Sequence, residues 1–216
     1  IVQLFKRSRI VGRRFQIVHV RFGREVIEVT TFRADHDDNI AAKHAQSNDH
    51  GMLIRDNVYG SLKDDAMRRD FSVNALYYTI NGFEVIDYTG GYADLQAKQL
   101  KIIGEPERRY TEDPVRMLRA ARFAAKLGFT VDQTTEQVIP SMASQLEMVS
   151  SARLFDEVLK LFMHGAALST FEQLRALGLF APLFPQSALI MEGDALNERF
   201  VRCALGNTDA RIAEGK

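Results

Sequence analysis

A single cysteine, Cys203, stands in 216 residues, and tryptophan is absent. One thiol can neither close an intrachain disulfide nor build a cysteine-rich zinc site, which agrees with a reducing compartment. No apolar run approaches the roughly 18 residues needed to cross a bilayer. The start, IVQLFKRSRIVGRRF, has neither the long apolar stretch nor the small-residue cleavage site of a secretory signal. These absences lead us to expect a cytoplasmic protein with no membrane segment. HExxH, Walker-loop, GxSxG and paired-cysteine motifs are also missing, so the chemistry they carry is not expected.

What is present suits a globular protein: 46% of the residues are hydrophobic and 26% charged, enough to bury a substantial core in one large domain or two small ones. The formal net charge of zero conceals local asymmetry. Through Glu25 the chain carries Lys6, Arg7, Arg9, Arg13, Arg14, Arg21 and Arg24 against one acid. A second basic region contains Lys101, Arg108, Arg109, Arg116, Arg119, Arg122 and Lys126, and the stretch from Glu28 to Asp65 leans acidic. Such clusters suit phosphates, although solvated surface charge gives the same pattern.

Organisation follows from periodicity. RRFQIVHVRFG and EVIEVTTF read as two strands joined at Gly23-Arg24, with Phe15, Ile17 and His19 on one face and Glu28 in mid-strand. A polar stretch from Ala34 to about Tyr59 is too long for a routine connection. Its His36, His44 and His50 have no helical or strand spacing, which favours a mobile loop over a metal site. Ser61 followed by Asp64 predicts an N-cap and a short helix to about Arg69. LYYTI-NG-FEVIDY predicts a hairpin with a type I′ turn at Asn81-Gly82. Beyond about Tyr110 the pattern is helical, so an α+β part is expected to precede an all-α part.

Three clusters can carry chemistry. RRDF, at Arg68, Arg69, Asp70 and Phe71, sets two guanidinium groups beside a carboxylate at a helix end. The arginines can hold a triphosphate while Asp70 accepts from a sugar hydroxyl or helps bind Mg²⁺; a helix-end salt bridge is the plainer reading. In EDPVRMLRAARFAAK, Asp113 before Pro114 fits an N-cap, and Arg116, Arg119 and Arg122 recur every third residue as one spiral stripe. Glu28 is the third candidate, because a glutamate facing inward on an apolar strand is costly unless paired or bound to metal. Gly90-Gly91 in DYTGGYADL reads as a plain turn rather than a phosphate loop.

In order, EVIEVTTFR, RRDFSVNAL, DYTGGYADLQAKQL and EDPVRMLRAARFAAKLGF resemble the successive motifs of the class II nucleotidyltransferases, the family of tRNA CCA-adding enzymes and bacterial poly(A) polymerases. SARLFDEVLKLF resembles the family's neck helix, and IVGRRFQIVHV resembles a stretch of the poly(A) polymerase branch. The resemblance implies an α+β palm with a mixed sheet over residues 1–110, a helical neck over 111–170 and the start of a helical body over 171–216. It implies template-independent addition of AMP from ATP to RNA 3′ ends, with two Mg²⁺ ions. By carry-over, Asp70 and Glu28 are catalytic, with Glu28 also a metal ligand. Arg68, Arg69, Asn74, Asp113, Arg116 and Arg119 bind nucleotide, Asp113 with Arg116 reading the base, and Arg13 and Arg14 bind RNA.

One departure matters. The resemblance places a glycine-rich segment and an Asp-x-Asp pair ahead of Ile1, so this chain by itself is expected to be inactive, and it stops short of the family's full body and basic tail. CCA addition to tRNA and a non-catalytic RNA-binding role are the alternatives.

Overall fold

The computed structural model describes residues 1–12, 16–34, 46–47, 53–55 and 59–215, with backbone alone at 46–47 and 53–55. Phe15, the stretch holding His36, His44 and His50, and the expected RNA-binding Arg13 and Arg14 lie outside the described residues. Contacts divide the chain into two compact units, Ile1–Arg69 and Asp70–Lys216.

In the first unit, β1 (Ser8–Val11), β2 (Ile17–Phe22) and β3 (Glu25–Val29) form an antiparallel sheet in that order. The expected hairpin at Gly23-Arg24 is the β2–β3 connection, and Gly23 takes the positive φ of 61° that a side chain disfavours. Arg9 lies opposite His19, and His19 opposite Glu28. Opposed residues share a face, so the same side carries all three, and two residues along each strand Arg7, Arg21 and Val26. The other side holds Val20, which is 3% exposed. Glu28 therefore does not point inward as expected: its side chain is 63% exposed and lies beside His19, 3.1 Å from Nε2. The buried face belongs to Val20, one register step away.

A short pair, β4 (Gln46–Ser47) with β5 (Leu53–Arg55), is followed by α1 (Leu62–Met67). The predicted cap is present as a reciprocal box. Ser61 Oγ accepts from the Asp64 N–H at 3.3 Å while the Asp64 carboxylate accepts from the Ser61 N–H at 2.8 Å. The helix ends at Met67, two residues before the expected limit.

The second unit opens with Asp70 and Phe71, then β6 (Leu76–Thr79), β7 (Glu84–Asp87), α2 (Gly91–Gln96), β8 (Gln99–Leu100), α3 (Pro106–Glu112), α4 (Val115–Leu127) and β9 (Thr130–Val131). Helices α5 (Gln133–Glu136), α6 (Ile139–Met142), α7 (Ser151–Phe162), α8 (Ala167–Ala176), α9 (Phe180–Leu183), α10 (Pro185–Gly193) and α11 (Ala195–Ala213) complete it. The β6–β7 hairpin has the predicted strands but a different turn. Thr79 pairs with Glu84, so residues 80–83 form a four-residue loop with positive φ at Gly82 and Phe83. Asn81 N–H bonds back to Thr79 Oγ1 at 3.1 Å, a local bond that competes with the two-residue type I′ geometry.

The expected change of character near Tyr110 falls inside this unit. Strand β8, before it, pairs in parallel with β9, after it. Helix α4 packs on α8 and α7, and the core runs from Phe71 and Leu100 through Tyr110, Met117 and Leu118 to Phe171 and Leu174, all fully buried. Each such apolar side chain contributes about 1.5–3 kcal/mol by leaving water. Gly128 stops α4 with a φ of 64°, and its N–H bonds to the Ala124 carbonyl. Gly91 is required for close packing: a Cβ there would sit 2.1 Å from the Ser72 carbonyl oxygen. No helix among the described residues is long and apolar enough to cross a membrane.

Candidate functional site

Phe71 explains the position of Asp70. Its ring is fully buried and meets Phe123 edge-on at 5.9 Å. Backbone bonds clamp the residues around it: Ile103 N–H donates to the Asp70 carbonyl and Ser72 N–H to the Lys101 carbonyl, both at 2.9 Å. The Asp70 carboxylate, only 10% exposed, is thereby held still. It accepts from Phe71 N–H and Asn74 Nδ2 at 3.0 Å each, and from Arg119 Nε on α4. Burial alone pushes the Asp70 pKa up; the Arg119 charge and the bonds from Asn74, Arg119 and Phe71 outweigh it and hold the group below its ordinary value. The result is a fixed, ionised carboxylate.

Arg68 and Arg69 belong to the other unit and serve a different acid. Asp65, 4% exposed, accepts from Arg33 N–H at 3.1 Å, Arg68 Nε at 3.1 Å and Arg69 Nη2 at 3.0 Å. Sequence reasoning missed Asp65. Its spacing of three and four residues from two arginines was the signal that could have found it. The salt bridge weighed for RRDF exists, but its carboxylate is Asp65, while Asp70 takes Arg119 from α4.

The EDPVR segment behaves as two linked anchors. Asp113 caps α4 by accepting from Val115 N–H at 3.2 Å, with Pro114 already in helical conformation. Its second oxygen accepts from Arg153 Nη2 on α7 at 2.7 Å. Arg116 Nη1 donates to the Arg109 carbonyl at 2.7 Å and to Glu112 at 2.9 Å. Glu112, another residue that sequence reasoning did not single out, also takes Arg108 and Arg109. Neither Asp113 nor Arg116 is saturated: a carboxylate accepts about four bonds, and a guanidinium carries five N–H groups.

The arginine stripe therefore does not act as one solvated row. Arg116 goes to Glu112 and Arg119 to Asp70, and Arg122 lies over the Phe123 ring at 4.9 Å from its centroid. Arg119 also approaches that ring, at 5.1 Å. The structure thus brings Asp70, Asn74 and Arg119 together, and sets Asp113 and Arg116 side by side with separate partners.

No three His, Cys, Asp or Glu side chains among the described residues come together to hold a metal ion. Glu28 is exposed beside His19, and Asp70 is occupied by protein donors. These residues alone do not make a coordination set.

In Asp87-Tyr88-Thr89-Gly90-Gly91, the Asp87 carboxylate accepts from Thr89, Gly91 and Tyr92 N–H groups at 2.9, 3.1 and 3.0 Å. The donors that could have cradled a phosphate are spent on this side chain, which supports the plain-turn reading.

Comparison with known proteins fits this arrangement. Residues 1–101 match the poly A polymerase head domain, and residues 128–191 match the family described as "Probable RNA and SrmB- binding site of polymerase A". The chain belongs to the poly(A) polymerase and CCA-adding enzyme family of nucleotidyltransferases. Poly(A) polymerase I of Salmonella typhimurium is 48% identical over 213 residues, which cover 97% of this chain and 46% of that protein. The CCA-adding enzyme of Bacillus subtilis is 36% identical over 178 residues, 81% of this chain and 42% of the relative. The crystal structure of the Bacillus stearothermophilus CCA-adding enzyme in complex with CTP superposes with a TM-score of 0.65 at 31% identity, covering 83% of this chain and 41% of that one. The nucleotidyltransferase fold expected from the motifs is the fold observed. The chain spans about half the length of the curated relatives it matches.

Proposed function

We infer that this chain is the part of a template-independent RNA adenylyltransferase that fixes the incoming nucleotide and reads its base. Similarity to poly(A) polymerases at 48% identity over 97% of the chain, against 36% over 81% for a CCA-adding enzyme, carries the choice of reaction. In this reading residues 1–110 serve as palm, 111–170 as neck and the rest as the start of the body, in a cytoplasmic enzyme. Asp70, steadied by Asn74 and Arg119, accepts from the nucleotide's sugar, and Arg68 and Arg69 meet its phosphates. Arg13 and Arg14 contact RNA. Magnesium would supply Lewis-acid chemistry to such a reaction, and Glu28 is the residue of this chain that we assign to holding it.

Asp113 and Arg116 read the base. Adenine presents an amino donor beside a ring-nitrogen acceptor on its pairing edge, as cytosine does, and these match a carboxylate acceptor and a guanidinium donor. Guanine and uracil present the reverse order and leave each protein group unpaired at a cost of about 1–3 kcal/mol. The pair rejects GTP and UTP but does not choose ATP over CTP, so CCA addition stays the second reading, supported by the CTP held in a solved relative.

The Asp113→Ala variant is expected to lose most of a preference for ATP over GTP in equilibrium binding to this chain, a change of about ten-fold or more. Asp113→Asn separates base reading from capping, because its side-chain oxygen still caps α4 while the charge is gone. Fluorescence titration with all four nucleotides measures the ratio. An ATP to GTP ratio unchanged in both variants leaves Asp113 as a helix cap and removes this account of base selection.

A further inference from the structure

The first unit holds a cleft of about 500 Å³ lined by Lys6, Arg7, Arg9, His19 and Arg21, on the sheet face that also carries Glu28. Register builds it. Arg7 and Arg21 stand opposite each other, joined by a 2.9 Å bond from the Arg21 N–H to the Arg7 carbonyl, and two residues along the strands Arg9 stands opposite His19. The two cationic rows are thus about 6–7 Å apart. That is comparable to the separation of successive phosphates in an extended single strand. No ion pair joins a carboxylate of the described residues to Lys6, Arg7, Arg9 or Arg21, and Glu28, the acid on this face of the sheet, is taken by His19 instead. Four cations crowded on one small sheet repel one another, which a structural role alone does not require and an anionic ligand relieves.

We propose that this cleft is a binding site for the backbone of single-stranded RNA, with Arg7 and Arg21 on one phosphate and Arg9 on the next. The site is separate from the segment at residues 128–191 whose family description mentions RNA. It rests on the reading of the chain as part of an RNA adenylyltransferase and adds where, on the palm, the RNA backbone lies. No phenylalanine, tyrosine or tryptophan lines the cleft, and its one imidazole, His19, is engaged with Glu28, so the cleft offers bases no broad stacking platform and reads charge and spacing, not sequence. Arginine suits the task because its planar fork bonds a phosphate bidentately.

The test uses the full 216-residue chain and fluorescent oligo(A) and oligo(U). The Arg9→Ala/Arg21→Ala double variant is expected to bind both RNAs about ten-fold more weakly at low salt. Its plot of log affinity against log salt should be shallower by about 1.4, two lost contacts at ~0.7 each for a single strand. Arg199→Ala/Arg211→Ala, which removes the same charge from exposed positions on α11, should change neither by more than about two-fold. Circular dichroism checks that the β-sheet survives, and Arg9→Lys/Arg21→Lys keeps the charge should alanine unfold it; this variant retains the salt slope and loses only part of the affinity. Unchanged RNA binding and slope in the alanine variant overturn the proposal while leaving the adenylyltransferase reading intact. Loss of ATP or pyrophosphate binding with RNA binding unchanged also overturns it, giving the cleft to nucleotide phosphates. A wild-type chain that binds no RNA overturns both.

Discussion

Replacing Asp70 with alanine is expected to lower AMP transfer by about 10²–10³-fold, the scale of losing one preorganised charge at a reacting site. Because this chain spans about half of its relatives, the assay uses a chimera in which it replaces the matching segment of the Salmonella typhimurium Poly(A) polymerase I. The expectation follows from how the carboxylate is held: 10% exposed, fixed by three donors and ionised. A group bound so firmly can present lone pairs to a ligand without moving. The competing view is that Asp70 only anchors α4 through Arg119. The two separate in single-turnover kinetics run beside thermal unfolding: an anchor loses activity in step with stability, whereas a nucleotide contact loses activity at temperatures where the chimera is fully folded. Asp70→Asn, nearly the same size, should fold well and stay inactive. Near wild-type transfer in either variant assigns Asp70 to structure alone.

Arg119→Ala should cost this chain about 2–3 kcal/mol of stability at neutral pH. That is below the ~3–5 kcal/mol of breaking a fully buried pair, because a third of the Arg119 side chain meets solvent, which screens the charge. The pH dependence is the sharper part. The Asp70 pKa is held low in the folded protein, so its contribution is present above the unfolded pKa near 3.9 and is lost as pH falls through the folded value. Deleting Arg119 removes the largest influence opposing burial, and the folded pKa of Asp70 rises. The deficit of the variant is then largest at neutral pH and shrinks in acid, where Asp70 takes a proton and no longer needs a partner. Denaturant titrations at several pH values measure this. A deficit that stays constant from neutral to acidic pH contradicts the pairing.

These outcomes bear on what the sequence could and could not convey. The Ser61 cap, the β2–β3 hairpin, the cap at Asp113 and the strands around Asn81-Gly82 were legible because each depends on residues a few positions apart. The Asn81-Gly82 turn itself was misread, since a single bond from Asn81 N–H to Thr79 Oγ1 favours a longer loop. Glu28 was placed on the wrong face because alternation gives two faces without saying which one the core covers. The partner of Asp70 was beyond local reasoning: Arg119 is 49 residues away, and it is tertiary packing, including that of Phe71 against Phe123, that brings it near. The cap of α8 shows the same limit, because the acid accepting from Ala167 and Leu168 N–H is Asp209 on α11. Asp65 and Glu112, by contrast, had visible helical spacing to their arginines and were overlooked beside the motifs.

The central claim is that this chain fixes and reads ATP for addition to RNA 3′ ends. The chimera with the unaltered chain, given each of the four nucleotides and Mg²⁺, tests it most directly on two substrates: an unstructured RNA and a tRNA lacking its terminal CCA. The account predicts long tails of A on the unstructured RNA, with GTP and UTP rejected. Addition confined to the tRNA, stopping after C, C and A, would contradict it, as would a folded chimera that transfers no nucleotide to either.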